Sequence, residues 1–273
     1  MRIVLLFCFL LSFESCATTA SRRDCAIDSR KMTDAEMTVE VSIYHSAIPS
    51  DKSILLMPPT GGTNYIDKSY AKNFCAAGFD VYILDSWSRM TEPGSADLEL
   101  HQRLYNRGQQ AISTVLAQVK SPKIGMLGTS LGGLHAAVAA SFQPRLNAVF
   151  IITAGAPITE VIMTSDQKAM QDLFAVRKIK YGFKDRAENL HALEKAFLLE
   201  PMKIGPGYRN KALGMAVATE DETVPTPSQK KLQAFWQPGK VITLPNGHFW
   251  GIVNTWLFHE DEVLNFFEEN LKN

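Results

Sequence analysis

Short, continuously apolar runs recur along this chain of 273 residues, and turn residues follow each of them. Runs of this kind are typical of strands that are buried on both faces of a sheet. Segments with apolar residues at helical spacing separate the runs. This alternation predicts an α/β fold with a doubly wound, mostly parallel sheet, in which ligands bind at the carboxyl ends of the strands. The six predicted strands are 53–57, 81–84, 124–127, 148–152, 213–217 and 240–244.

An edge strand and a set of helices complete the predicted domain. Residues 37–45 alternate apolar and polar side chains, and this period of two predicts a half-exposed, antiparallel strand. Between about 155 and 210 the chain shows helical patterns without a convincing strand, far beyond the usual connection length. We therefore predict one domain over 37–273 with a helical cap inserted at 155–210. The other predicted helices are 65–77, 96–120, 131–142, 227–236 and 259–271.

Residues 128–132 read Gly-Thr-Ser-Leu-Gly and lie between a predicted strand and a predicted helix. This order holds a serine hydroxyl at the tip of a strained turn, above a helix N-terminus. Gly128 and Gly132 suit such a turn, because a Cβ at either position would clash with neighbouring backbone. The pattern predicts Ser130 as a nucleophile, and the alternative is an ordinary strand-to-helix turn.

A serine alcohol needs a neutral imidazole within hydrogen-bond reach and a carboxylate that orients the imidazole. Asp221 follows one buried strand and His248 follows the last one, so Ser130, Asp221 and His248 occur in the order expected of this architecture. His259 precedes two acidic residues at a predicted helix start, which is typical of a surface residue. His135 lies within the helix that follows the serine and is expected to point along the wrong side of it.

Three motifs together resemble the α/β-hydrolase fold. They are the serine turn at 128–132, the Asp-Glu-Thr-Val-Pro segment at 221–225 and the Gly-His-Phe segment at 247–249. The resemblance extends from about residue 39 to the C-terminus. The acid segment is similar to the D-x-x-V-P segment common in the family, which implies Asp221 rather than Glu220 or Glu222 as the triad acid.

Acyl transfer on this fold also needs hydrogen-bond donors for the oxyanion, which are typically two backbone N–H groups. The first is expected at Leu131, directly after the serine. The second is expected in the loop after the third strand, where this chain has Thr60-Gly61 and many family members have His-Gly. We predict Gly61 or Gly62 as that donor, and an ordinary glycine turn is the alternative.

The first twenty residues, 1–20, predict an export signal. One positive charge, Arg2, precedes an apolar run at 3–11. This run has about half of the roughly 20 residues that a membrane-spanning helix needs, which favours a signal over an anchor helix.

Cys16 directly follows this region and resembles the lipid-attachment cysteine of bacterial lipoproteins. Cleavage near residues 18–20, which gives an ordinary secreted product, is the alternative. The polar residues 21–36 predict a loosely ordered lead-in or tether. The chain is therefore expected in the bacterial periplasm or envelope, tethered to the membrane through a lipidated Cys16, or else secreted.

Composition narrows the choice of partners and cofactors. Lys and Arg together number 28, as do Asp and Glu, so the net charge of zero leaves no electrostatic footprint for nucleic acid. No Cys or His pair has the spacing of metal ligands, and neither a metal nor an organic cofactor is expected. Cys25 and Cys75 remain after signal removal, either as one disulfide or as two buried thiols.

The motifs favour a serine hydrolase that cleaves a carboxylic ester or a related acyl bond of a small molecule through an acyl-enzyme. An acyltransferase or peptidase on the same fold is one alternative, because the same triad serves those reactions. A non-catalytic envelope binding protein is another.

Overall fold

The structure, a computed structural model, describes residues 25–86 and 94–272. Within them, eight strands form one sheet in the order β1-β2-β4-β3-β5-β6-β7-β8. The pairs β1·β2 and β2·β4 are antiparallel, and the remaining pairs are parallel. The strands are β1 (Ala26–Thr33), β2 (Thr38–His45), β3 (Lys52–Met57), β4 (Asp80–Leu84), β5 (Lys123–Thr129), β6 (Leu146–Ile152), β7 (Ala212–Ala218) and β8 (Lys240–Leu244). The predicted doubly wound fold class and all six predicted buried strands are confirmed.

Helices cover both faces of the sheet, as the alternation of strand and helix requires. They are α1 (Tyr65–Ala76), α2 (Leu98–Gln118), α3 (Leu131–Phe142), α4 (Ile158–Thr164), α5 (Lys168–Tyr181), α6 (Arg186–Ala196), α7 (Thr226–Trp236) and α8 (His248–Asn270), with a short 3₁₀ helix at Pro206–Asn210. One core lies between the sheet and α1 with α8. The other core lies between the sheet and α2, α3 and α7.

The central strand β5 shows how closely the layers pack. A Cβ at Gly125 would lie 2.6 Å from the ring of Phe267 in α8 and 2.7 Å from Ile54 in β3. Strand β6 pairs with β5, and its alternate residues point to opposite faces of the sheet. Phe150 therefore packs towards α8, and Val149 packs towards α3. Burying such a side chain contributes about 1.5–3 kcal/mol, so packing on both faces stabilises the sheet that carries the loops at its strand ends.

Helix α1 begins with a capping box. The side chain of Asn64 accepts hydrogen bonds from the backbone N–H groups of Ile66 and Asp67, while the Asp67 carboxylate accepts one from the Asn64 N–H. Asp67 is buried, and this burial, with the charge of Asp85 as a smaller cause, raises its pKa from 3.8 to about 7.

Two predicted boundaries are wrong. The expected lead-in at 21–36 contains strand β1 (Ala26–Thr33), which pairs in register with β2 along the edge of the sheet. Most of its side chains are exposed, so it carries no buried alternation. The last helix begins at His248 rather than at 259. The prediction missed its first turns because Phe249 and Trp250 are apolar residues on the exposed side of the helix.

The connection between β6 and β7 holds α4, α5, α6 and the 3₁₀ helix, in the part of the chain where the cap is expected. Cys25 and Cys75 form a disulfide, which settles the alternative that the sequence left open. No helix in 25–86 or 94–272 is both long and apolar enough to cross a membrane. The predicted signal at 1–20 and its Cys16 lie outside the described residues.

Candidate active site

Ser130 lies on a sharp turn between β5 and α3. Its backbone has φ 53° and ψ −118°, a conformation that an L-residue adopts only when its surroundings hold it there. The Ser130 N–H donates to the carbonyl of Ile152 at 2.9 Å. A Cβ at Gly132 would lie 2.0 Å from the carbonyl oxygen of Met57, and one at Gly128 would lie 2.4 Å from that of Gly132. The predicted reason for both glycines is therefore confirmed.

His248 is the first residue of α8 and reaches across to the serine. Its Nε2 lies 2.8 Å from Ser130 Oγ, and its Nδ1 lies 2.7 Å from Oδ2 of Asp221. The imidazole is 16% exposed and the Asp221 carboxylate is fully buried. The structure thus brings the three residues predicted for the triad into one hydrogen-bonded chain.

The loop after β7 holds the Asp221 carboxylate through several donors. Oδ1 accepts hydrogen bonds from the backbone N–H groups of Thr223 and Val224, each at 2.9 Å. Oδ2 accepts one from the side-chain amide of Gln229 at 2.7 Å and faces the imidazole of His248. These contacts leave the carboxylate one orientation, with Oδ2 directed at the histidine.

Gln229 is a residue that sequence reasoning missed. It is fully buried in the first turn of α7, where its Nε2 also donates to the Val224 carbonyl at 2.8 Å. Its Oε1 accepts a hydrogen bond from the Ala218 N–H at 3.1 Å. A glutamine eight residues after the acid belongs to no local motif, so only the folded loop reveals the contact.

The predicted oxyanion donors lie in two places, at the start of α3 and in the loop between β3 and α1. Leu131 is the first residue of α3, and the first N–H groups of a helix have no partner within the helix. Gly61 and Gly62 have φ of 104° and 87°, a region that favours glycine. The Gly62 N–H donates to the Pro59 carbonyl at 3.1 Å, which favours Gly61 over Gly62 as the donor from this loop. Leu131, Gly61 and Gly62 stay predictions.

Asp85 positions the loop that carries these glycines. Its carboxylate accepts hydrogen bonds from the hydroxyl groups of Thr63 at 2.7 Å and Ser42 at 2.5 Å. Asp85 therefore ties the glycine loop to strand β2.

A small, mostly apolar cavity of about 100 Å³ opens beside Ser130. Helices α4 and α5 form one wall of it, so the segment between β6 and β7 lies over the serine. We refer to this space as the acyl cavity. Its apolar lining comprises Leu131, Leu134, Val161, Ile162, Ala169, Met170 and Val224, and Thr60 also lines it.

Two other histidines are buried, and their contacts are with residues outside the triad. His135 stacks on Tyr105 with ring centroids 4.4 Å apart, and burial lowers its pKa to about 3. His101 Nδ1 lies 2.6 Å from the guanidinium of Arg177, and burial, followed by the Arg177 charge, lowers the pKa of His101 to about 3. Arg177 also donates to the carbonyl of Ser95 at 2.8 Å, which fastens α5 to the start of α2.

His259 lies within α8 rather than at a helix start, and its Nδ1 is 2.6 Å from Oε1 of Glu262. In the part of the chain that the structure describes, no group of three His, Cys, Asp or Glu side chains is arranged to hold a metal ion.

Solved structures with the same architecture include hydrolases. Acetyl xylan esterase 1 from a Thermoanaerobacterium species matches with a TM-score of 0.68 and 12% identity, over 92% of this chain and 85% of the esterase. A cold-adapted esterase from an Arctic intertidal metagenomic library matches with a TM-score of 0.58 and 14% identity, over 92% and 96%.

The acylaminoacyl peptidase of Pyrococcus horikoshii matches with a TM-score of 0.68 and 13% identity over 93% of this chain. The chain spans less than half of that peptidase, 43% of its length. No protein-family model and no curated protein sequence matches the chain. The sheet order, the helices on both faces and these likenesses show that the chain has the α/β-hydrolase fold.

Proposed function

We propose that this protein is a serine hydrolase that cleaves a carboxylic ester or a related acyl bond. The observation that carries the proposal is the chain of hydrogen bonds from Ser130 through His248 to Asp221, at 2.8 and 2.7 Å. Nucleophile, base and orienting carboxylate are the three groups that acyl transfer through a serine requires.

The geometry supports the following reaction. Ser130 Oγ attacks the acyl carbon while its proton passes to Nε2 of His248, and Asp221 stabilises the imidazolium that forms. The oxyanion accepts hydrogen bonds from the N–H groups of Leu131 and Gly61. The imidazolium then gives its proton to the leaving alcohol, which leaves an acyl-enzyme. Water attacks this ester in turn and gives a proton to Nε2 of His248. The bond from the acyl carbon to Ser130 Oγ then breaks, His248 returns the proton to Oγ, and the acid leaves.

The acyl cavity supports a short acyl chain as substrate. Its volume of about 100 Å³ is below the roughly 300–1,000 Å³ of pockets that hold drug-sized ligands. Its apolar walls lie beside the nucleophile, where the acyl group of a bound ester has to lie. We therefore propose small acyl esters, rather than long-chain lipids, as the substrates.

We also propose that the protein is exported, as a lipoprotein acylated at Cys16 or as a secreted product. The Cys25–Cys75 disulfide supports export, because disulfides persist in oxidising compartments. An acylated protein should fractionate with membranes, resist release by salt and become soluble in the Cys16→Ser variant. An N-terminus near residue 21 would instead indicate ordinary secretion, and an intact Met1 in the cytoplasm would contradict export.

The test of the hydrolase proposal is covalent labelling with a fluorophosphonate, together with hydrolysis of short p-nitrophenyl esters. We expect one label on Ser130, and loss of both labelling and turnover in Ser130→Ala and His248→Ala. Ser141→Ala is the matched control, because Ser141 is also buried in α3 and lies outside the triad. Normal turnover by Ser130→Ala would exclude this mechanism.

The same protein preparation can distinguish the related reactions. Release of acid from esters alone supports an esterase, release from acylated peptides supports a peptidase, and transfer to an added alcohol supports an acyltransferase. A protein that binds the probe ester without labelling or turnover would be a binding protein on this fold.

A further inference from the structure

The outward side of α8 is apolar at the end that begins with His248. Phe249, Trp250 and Leu257 are 65%, 58% and 52% exposed. Residues 250 and 257 are seven apart, so they lie on the same side of the helix about two turns from each other. The outward side of a surface helix in a water-soluble domain is usually polar. This side of α8 is therefore suited to contact with an apolar partner.

Helix α1 and strand β1 extend this apolar surface. The ring of Tyr65, which is 73% exposed, contacts Trp256 edge-on with centroids 5.6 Å apart. Trp256 donates from Nε1 to the Ser69 hydroxyl at 3.0 Å, which fixes its ring between the two helices. Ile27 in β1 lies beside them. We refer to one set of residues as the aromatic face: Ile27, Tyr65, Phe249, Trp250, Trp256 and Leu257.

The described chain begins at this same surface. Cys25 lines the open groove between Tyr65 and Leu257, and its disulfide to Cys75 holds it against α1. Eight residues separate Cys16 from Cys25. At no more than about 3.6 Å per residue, an acyl anchor at Cys16 would hold the aromatic face within roughly 30 Å of a bilayer.

The charges around the aromatic face suit an anionic surface. Lys68 and Lys72 line the groove from α1, and Glu260 is the acidic residue that lines it from α8. Lysines beside an apolar surface are attracted to anionic lipid headgroups. Tryptophan and tyrosine are the side chains enriched where a protein meets the interface of a bilayer, because each joins an apolar ring to a polar group.

We propose that the aromatic face docks on the surface of a phospholipid bilayer. Its aromatic side chains insert at headgroup level, and Lys68 and Lys72 lie against the anionic headgroups. Phe249 and Trp250 directly follow His248, so docking brings the end of α8 that carries the triad histidine to the lipid surface. The proposal concerns a surface outside the triad and does not depend on which acyl bond is cleaved.

The experiment measures tryptophan emission of the protein, as it is recovered from the exporting cell, with vesicles of phosphatidylglycerol and brominated phosphatidylcholine. Bromine quenches only tryptophans that reach the lipid, so a chain held by its N-terminus alone keeps its emission. We expect quenching of the parent, and quenching reduced at least about ten-fold in Tyr65→Glu/Leu257→Glu, whether or not an acyl anchor holds the chain on the vesicle. Ile179→Glu is the matched control, because it removes an 86% exposed isoleucine from α5, outside the face.

Hydrolysis of a water-soluble ester is measured in the same samples, and all of these variants should keep it. Ser130→Ala should dock like the parent, so that loss of docking and loss of catalysis are separate results. Absence of quenching in the parent, or equal quenching in the double variant, would overturn the proposal. A parent dimer that the double variant abolishes, without any quenching, would assign the face to a second copy of the chain.

Discussion

Gln229 connects the carboxylate of the candidate triad to the loop around it. Its amide donates to Asp221 Oδ2 and to the Val224 carbonyl. We predict that Gln229→Met lowers kcat for a short ester by about 10- to 100-fold and leaves KM nearly unchanged, because a shift of about 1 Å in a catalytic group can cost about 100-fold. Steady-state kinetics and the rate of fluorophosphonate labelling measure the effect.

A buried glutamine elsewhere provides the control for this substitution. Gln109 donates to Nδ1 and to the carbonyl of His135 in the core beneath α3. Gln109→Met should lower Tm without lowering kcat. Equal loss of kcat in both variants would mean that Gln229 acts through general stability and does not position Asp221.

Asp67 makes the stability of the domain depend on pH. Its pKa is about 7 in the folded protein against 3.8 as the ordinary value, so between these pH values the folded chain holds a proton that the unfolded chain has lost. Its contribution to stability therefore falls as pH rises from about 4 to 7, by up to about 4 kcal/mol. We predict that Asp67→Asn flattens this fall, because an asparagine keeps an acceptor for the Asn64 N–H and cannot ionise.

Urea denaturation of both proteins at pH 4.5 and pH 8 tests this prediction. The variant should gain stability relative to the parent at the higher pH only. A parallel pH dependence of the two proteins would show that Asp67 is ionised in the folded state.

Among the residues of the candidate site, the sequence predicted those that lie in a recognisable local motif. Ser130, Asp221 and His248 each follow a buried strand in a recognisable motif, and the sheet brings those strand ends together. Gln229 and the turn that engages the Gly62 N–H could not be predicted, because both depend on the path of a loop. Hydrogen bonds between loop atoms follow no periodic pattern in the sequence, so sequence patterns cannot predict them.

Helices α4 and α5 determine the size of the acyl cavity. Ile162 from α4 and Met170 from α5 are buried against it. We predict that Met170→Ala shifts the preference towards longer acyl chains, because each further buried methylene is worth about 0.8 kcal/mol, or roughly four-fold in kcat/KM. The measurement is kcat/KM for acetyl, butyryl and octanoyl esters of p-nitrophenol.

Met202→Ala is the control for this prediction, since Met202 also packs against the core but does not line the acyl cavity. It should leave the ratio of the three kcat/KM values unchanged. A uniform loss for all esters in Met170→Ala would mean that α5 supports the fold and does not select the acyl chain.

Elements with a buried face were predicted well, and elements without one were not. Strand β1 buries Met32 and exposes most of its other side chains, so it shows no alternation of buried and exposed residues. Its backbone pairing with β2 holds it in the sheet. The start of α8 is hidden because Phe249 and Trp250 are apolar on a side that faces outward. Helix prediction from an amphipathic pattern assumes that apolar residues are buried. It fails for the start of α8, where apolar residues are exposed.

The disulfide between Cys25 and Cys75 constrains the whole domain, since it closes a loop with a sequence separation of 50. We predict that Cys25→Ala/Cys75→Ala lowers the free energy of unfolding by about 2–4 kcal/mol, because the unfolded chain regains the freedom that the closed loop denies it. Urea denaturation measures this loss, and the parent in reductant should match the variant. Identical midpoints with and without reductant would contradict the prediction.

The disulfide also determines what happens when a protease cuts the chain within the closed loop. Strands β1, β2 and β3 lie inside the closed loop, while β4 follows it in sequence and lies between β2 and β3 in the sheet. A protease that cuts one peptide bond between residues 26 and 74 opens this loop but releases no fragment. The two pieces stay joined through sulfur, and β4 still pairs with a strand of each when the cut falls at the turn before β3. A nicked molecule should therefore migrate as a single species until thiol is added, so one cut by a peptidase does not separate the two pieces.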